Sequence, residues 1–149
     1  MHDVISYVSH LKIREQENKK LIFCSIRKKD LVLQPEELVR QAYIMYLTKG
    51  LGYSTMKIAV EKGIKINGLH KRFDIMVYDQ SIQPYILVEC KSMFVELNQD
   101  VLEQVSQYNL AFKVPFLVIT NGKNQFVFQL NQEGNAYHSI PHLPLKEKK

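Results

Sequence analysis

The chain has 149 residues, 46% of them apolar, and a formal net charge of +5. This length suits one domain that buries about two thirds of its unfolded surface, and the apolar share excludes a disordered chain. No apolar run approaches the roughly 20 residues that span a bilayer, and the N-terminus has no signal-peptide pattern, so a soluble cytoplasmic protein without membrane contact is expected.

The first 20 residues are polar, with weak helical signals. "LIFCSI" (21–26) reads as a strand, and "LVLQ" (31–34) can pair with it across "RKKD". Pro35 opens a helix. Glu36 and Glu37 lie in its first turn, where carboxylates suit the positive end of the helix dipole. The helix runs to about Lys49 and stops at Gly50 or Gly52. In "STMKIAVEKGIKI" (54–66), Met56, Ile58 and Val60 alternate with Lys57, Ala59 and Glu61, the pattern of a half-buried strand. "RFDIMVYDQSIQPYILVECK" (72–91) reads as two apolar strands joined by a short polar turn.

A second helix is expected over about 98–112, with Val101, Leu102, Val105, Tyr108 and Phe112 as its apolar stripe. "VPFLVIT" (114–120) is a continuous apolar run, as in a strand covered on both faces. "NGK" then turns into "QFVFQL" (125–130), an edge-like strand, and the chain beyond Gly134 reads as irregular. Helix, three-strand meander, helix and strand in this order give an α/β fold with a mixed sheet flanked by helices. The expected organisation is a single domain over 1–149. Its core spans about 35–130, with an N-terminal addition (1–34) and an irregular tail (135–149).

Cys24 and Cys90 sit among apolar residues and are read as buried free thiols; five histidines show no zinc-hydrolase spacing. The positive net charge fits a polyanionic partner, although part of it lies in a terminal run, Lys146 to Lys149, read as a solvated tail.

Three charges interrupt the apolar hairpin: Asp74, Glu89 and Lys91. If Asp79 pairs with Pro84 across the turn, the same register sets Asp74 opposite Glu89. Alternation then places Phe73, Ile75 and Val77 on one face with Ile86, Val88 and Cys90, and the three charges on the other. Two carboxylates would meet within roughly 5 Å at their Cβ atoms and repel. A hard divalent cation such as Mg²⁺ answers that repulsion, since it takes one or two carboxylates plus phosphate oxygens and water. Lys91 can neutralise one charge or orient a water. An E-x-K triplet is common by chance, and a solvated Glu89–Lys91 pair with Asp74 at a strand end is the plainer alternative.

These residues resemble the PD-(D/E)xK nuclease superfamily, with Asp74 as first acid and Glu89-Cys90-Lys91 as the E-x-K. More narrowly, the chain resembles the N-terminal nuclease domain of type I restriction enzyme R subunits. "PEELVRQ" (35–41), "RFDIMVYD" (72–79), "PYILVECK" (84–91), "EQVSQYN" (103–109) and "LVITNG" (117–122) carry the likeness. The resemblance implies a restriction-endonuclease-like core and a metal-dependent deoxyribonuclease. Mg²⁺, with Mn²⁺ as substitute, would be held by Asp74, Glu89 and a first-helix glutamate. Glu37 is favoured for that role over Glu36, which stands four residues before Arg40; complementing the helix dipole is the equal alternative for Glu37.

Gln104 and Tyr108 match a Q-x-x-x-Y motif, aimed at the site or at DNA, with a core Tyr108 as the alternative. His70, Lys71 and Arg72 could contact phosphates beside the scissile bond or form a charged loop. Glu61 is a possible neighbour of the acids. Phe73 stands where the superfamily often has proline. No G-x-x-x-x-G-K-[ST] loop is present, so ATP-driven motion is not expected of this polypeptide, and restriction-modification or motor subunits are possible partners. A non-catalytic nucleic-acid-binding or assembly module on the same fold is the alternative function. A junction-resolving enzyme would need a dimer, and the oligomeric state stays open.

Overall fold

The computed structural model describes residues 3–66 and 68–145. The Lys146–Lys149 run lies outside the described residues. A 3-10 turn over Val4–His10 is followed by β1 (Ile13–Gln16), β2 (Lys19–Cys24) and β3 (Lys29–Val32), which form a small antiparallel sheet. The pairing of β2 with β3 matches the expectation, whereas β1 falls in the segment read as weakly helical.

Helix α1 covers Pro35–Met45 and continues through a π-helical turn, Tyr46–Gly50. Pro35 occupies its first turn, where the missing N–H is no loss. A second sheet contains β4 (Ile58–Ile66), β5 (Leu69–Tyr78), β6 (Pro84–Cys90), β7 (Phe116–Thr120), β8 (Gln125–Leu130) and β9 (Tyr137–Ile140), in that spatial order. Every pairing in it is antiparallel except β6 with β7. The parallel pair needs a crossover, supplied by α2 (Gln99–Leu110). Asn98 caps α2 by accepting a hydrogen bond from the Val101 N–H at 2.9 Å.

The sheet is covered on both faces. Val39, Ala42, Tyr43 and Leu47 pack with Ile75, Val77, Ile86, Val88, Cys90 and Val118 on the α1 side. Leu102 and Phe112 pack with Phe73, Met76, Leu87, Leu117 and Ile119 on the other. All five residues of β7 are buried, as its unbroken apolar run implies. Each such side chain contributes roughly 1.5–3 kcal/mol through burial. Cys24 and Cys90 are buried and free. Among the described residues no helix is long and apolar enough to cross a membrane.

The segment expected to be irregular contains β9, which pairs Val127 with Ile140, so β8 is an interior strand and not the edge. Asn131 builds the turn before β9: its Oδ1 accepts the Asn135 and Ala136 N–H groups at 3.0 and 3.3 Å. Beyond β9, Leu143 is 1% exposed, and the Tyr53 hydroxyl donates to the Pro144 carbonyl at 2.7 Å. "YHSI" has no strong strand pattern; it becomes a strand because β8 offers it an open edge.

The hairpin register is the expected one at its inner positions, Ile75↔Val88, Met76↔Leu87 and Val77↔Ile86. The turn differs. Tyr78, not Asp79, pairs with Pro84, and a bulge at Val77/Tyr78 absorbs the offset. Asp79 instead closes the turn, its Oδ1 accepting the Ser81 and Gln83 N–H groups at 2.8 and 3.0 Å.

The expected face assignment fails at Phe73. Phe73 joins the α2-side cluster with Met76, whereas Ile75 and Val77 join the α1-side cluster. The cause is a local irregularity. Val60↔Ile75 and Lys62↔Phe73 are paired, Glu61 and Asp74 between them are not, and Glu61 has φ 47°. This break lets Asp74 leave the strict alternation of the strand.

Candidate functional site

The β5–β6 ladder ends at Ile75↔Val88, and Asp74 and Glu89 lie immediately beyond it, where the strands part. Asp74 turns toward α1. Its Oδ1 accepts from Arg40 Nη2 at 3.0 Å, and its Oδ2 accepts the Cys90 backbone N–H at 2.8 Å. Glu89 is held from the opposite side, by Lys71 Nζ, which also donates to Asn109 Oδ1 on α2. The two acids remain neighbours. Burial pushes the Glu89 carboxyl up, Lys71 pulls it back, and the Asp74 carboxylate and a hydrogen bond with it push it up again. Asp74 therefore acts on Glu89, although the two are braced from different faces of the sheet.

Lys91 follows β6 directly, with its backbone N–H donating to the Thr120 carbonyl at 2.8 Å. Its charge acts on Glu36. Burial and then Asp74 raise the Glu36 carboxyl, while Arg40 and Lys91 oppose them. Glu36 is thus a helix glutamate whose carboxyl feels both Asp74 and Lys91. Glu37 is 7% exposed and fully engaged: it accepts from Arg40 Nη1 at 2.5 Å, Gln41 Nε2 at 2.9 Å and Arg27 Nη2 at 3.3 Å.

Arg40 is the hub of this side, and the sequence did not single it out as a site residue. It is 4% exposed, and its Nη2 lies 3.0 Å from Asp74, 3.2 Å from Glu61 and 3.8 Å from Glu36. Burial works against its charge, but the Asp74 hydrogen bond and the Glu37 carboxylate hold its proton more tightly than usual. Among the described residues its Nε finds no hydrogen-bond partner. The available signal was positional: Arg40 falls between Val39 and Ala42 on the buried arc of α1, where an arginine needs partners.

A second arginine comes from outside the expected core. Arg27, in the turn between β2 and β3, donates to Glu61 at 2.8 Å as well as to Glu37. Burial tends to raise Glu61, yet Arg40 and Arg27 overcome it and hold that carboxyl below its usual range. A cleft of about 440 Å³ opens over this group, lined by Glu36, Glu37, Arg40, Glu61 and Ser92, among others.

The remaining candidates divide. Lys71 has 8% side-chain exposure and sits over three rings, 4.8 Å from Tyr108, 5.2 Å from Phe73 and 5.6 Å from Phe112. Its ammonium is occupied by Glu89 and Asn109. Tyr108 reaches the site only through Lys71 and is otherwise 61% exposed. Gln104 is exposed one turn earlier, and none of the hydrogen bonds around the acids involves it. His70 and Arg72 are exposed on β5, and Arg72 Nε donates to the Glu61 carbonyl at 2.9 Å.

Among the described residues, no group of three His, Cys, Asp or Glu is gathered to hold a metal. Asp74 and Glu89 still fit a hard cation. They are oxygen donors close enough for Asp74 to raise the Glu89 carboxyl, and Mg²⁺ takes one or two carboxylates and fills its shell with water and phosphate oxygen.

Comparison with curated proteins finds no match. A family model, described as Type I restriction enzyme R protein N terminus (HSDR_N), matches residues 35–144. The match begins at the first residue of α1 and runs past β9, so it includes Asp74, Glu89, Lys91 and Arg40 but not Arg27. Spanning well over half of the 149 residues, it shows that the chain belongs to the family of type I restriction enzyme R protein N-terminal domains.

Proposed function

We propose that this protein is a Mg²⁺-dependent nuclease that hydrolyses DNA phosphodiester bonds, with Asp74 and Glu89 holding the metal. The observation that carries the reading is the meeting of these two acids beyond the β5–β6 ladder, with Lys91 directly after β6. The order α1, β4, β5, β6, α2, β7 is the helix–meander–helix–strand core that the PD-(D/E)xK resemblance implies.

The metal, when bound, supplies positive charge to the phosphate and lowers the pKa of water. The chain's residues do the rest. Asp74 is oriented by two hydrogen bonds, from Arg40 and from the Cys90 N–H, and Glu89 by Lys71. Such supporting bonds fix ligand geometry. The Lys91 ammonium orients the attacking water and offsets charge developing on the phosphate. Glu36, whose carboxyl feels the Lys91 charge, helps to hold that ammonium over the site; Glu37 acts through Arg40, and Tyr108 through Lys71. Mn²⁺ would substitute for Mg²⁺, and restriction-modification or motor subunits would be partners.

Asp74→Ala and Lys91→Ala should each abolish Mg²⁺-dependent cleavage of DNA while the circular dichroism spectrum is retained. Cleavage at the wild-type rate by either variant would end the mechanism.

A second reading is favoured by one observation: Arg40 and Lys71 already neutralise the two acids from within the protein. On that basis the fold would bind nucleic acid without cutting it. DNA binding that tolerates EDTA, with no cleavage of any DNA or RNA form, would select this reading.

A further inference from the structure

The β4–β5 ribbon extends well past the sheet that supports it. β5 pairs with β6 only from Ile75 to Tyr78, but with β4 from Leu69 to Val77. The distal half, Lys62–Ile66 against Leu69–Phe73, is therefore a two-stranded ribbon. Such ribbons are marginal in water without further support. Its composition is one-sided: between Lys62 and Arg72 lie four Lys or Arg residues and no Asp or Glu.

The register sorts these residues by face. Directly paired residues share a face, and faces alternate along each strand. Gly63 pairs with Arg72 and Lys65 with His70, so these four share one face. Lys62 pairs with Phe73 on the other face, where Lys71 closes on Glu89. Lys65, His70 and Arg72 are all exposed. The bond from Arg72 Nε to the Glu61 carbonyl sets their face beside the parting of the strands at Glu61 and Asp74.

Gly63 lies on this face opposite Arg72, with no structural need to be glycine. A Cβ built there meets nothing within 4 Å, and its φ is not in the left-handed region. A strand-interior glycine costs about 0.5–1 kcal/mol relative to alanine, and such a position often marks close approach of a ligand to the backbone.

We infer that the face formed by Gly63, Lys65, His70 and Arg72 grips the phosphate backbone of a nucleic-acid duplex on one flank of the Asp74–Glu89 site. Charge complementarity and continuity with that site select this occupant. His70 lies about 13 Å along the strand from Asp74, so the contacted phosphates flank the scissile one. Phosphate contacts of this kind set register without reading sequence. The inference rests on the nuclease reading for its placement, but the grip does not need catalysis.

The test is binding of a mixed-sequence DNA duplex in EDTA, by fluorescence anisotropy across a salt series. Lys65→Gln should weaken binding and reduce the slope of log K against log salt by about 0.9, one phosphate contact. Gly63→Leu should weaken binding without changing the net charge, with a melting temperature no lower than wild type because the position is open and a strand glycine is itself destabilising. Lys62→Gln, on the opposite face, should bind as wild type. Wild-type affinity in Gly63→Leu and Lys65→Gln, or equal losses in Lys62→Gln and Lys65→Gln, would overturn the grip. So would a wild-type protein that binds an acidic polypeptide such as polyglutamate but no duplex. Duplex binding with these losses but no Mg²⁺-dependent cleavage would sink the nuclease reading and leave the grip intact. Cleavage by Gly63→Leu and Lys65→Gln with wild-type KM would do the reverse.

Discussion

Arg40 Nη2 lies 3.0 Å from Asp74 Oδ1, joining the first helix of the family match to the acid that follows the break in β5. The contact spans 34 positions of sequence and is part-buried. Because Glu37, Glu61 and Glu36 also approach this guanidinium, Arg40 is what allows four carboxylates to gather around one cation.

Removing Arg40 should therefore be severe. Arg40→Met leaves the buried Glu37 and the half-buried Asp74 without this counterion, and breaking a buried pair from one side costs about 3–5 kcal/mol. Urea unfolding in EDTA should show the loss. A change below about 1 kcal/mol, the level of surface pairs, would mean that the network is not an ion-pair core.

Lys71 should act as the internal counterion of Glu89. Lys71→Met removes it, leaves the adjacent Asp74 and Glu89 charges opposed, and lowers stability in EDTA. If the acids hold a metal, Mn²⁺ should raise the melting temperature of Lys71→Met more than that of wild type, because ligand binding to the folded state stabilises it by mass action. Equal or absent Mn²⁺ shifts in the two proteins would contradict the arrangement.

Glu61 and Glu36 should have opposite effects on stability at neutral pH. Glu61 titrates below its usual range because Arg40 and Arg27 outweigh burial, so its ionised form stabilises the fold; that contribution is lost as pH falls through its depressed value. Glu36 titrates above its usual range through burial and Asp74, so its ionised form is unfavourable at neutral pH. In metal-free protein at pH 7, Glu61→Gln should be less stable than wild type and Glu36→Gln more stable. Both differences should shrink once pH falls well below about 4.3, the ordinary glutamate value, where folded and unfolded states are protonated alike. Unfolding curves at the two pH values decide it.

The C-terminal segment should be an integral part of the fold. Leu143→Ala empties a site that is 1% exposed and should cost about 2–5 kcal/mol. Tyr53→Phe removes the hydrogen bond to the Pro144 carbonyl and should cost about 0.5–1.5 kcal/mol. Neutral effects in both, measured by denaturant unfolding, would show that the segment is not packed as described.

Local pattern determined a good deal of this protein. Pro35 with Glu36 and Glu37 marks the start of α1, the β5–β6 hairpin shows its inner register, the apolar run at 116–120 marks a strand buried on both faces, and Asn98 marks the start of α2. Each of these depends on neighbours within a few positions, which is the range over which helix and strand periodicity can be read. Of the candidate site, the sequence shows a pair of acids brought near each other, but not the network around them. Strict alternation placed Asp74 on the side away from α1. The irregularity at Glu61 turned it toward Arg40 instead, and no local pattern signals that turn. Arg40, Arg27, Lys71 and Asn109 acquire their partners only when segments far apart in the chain pack together, and β9 becomes a strand only because β8 presents an edge. A buried charge takes whatever counter-charge the packed fold brings within reach, so these pairings were decided by the tertiary structure.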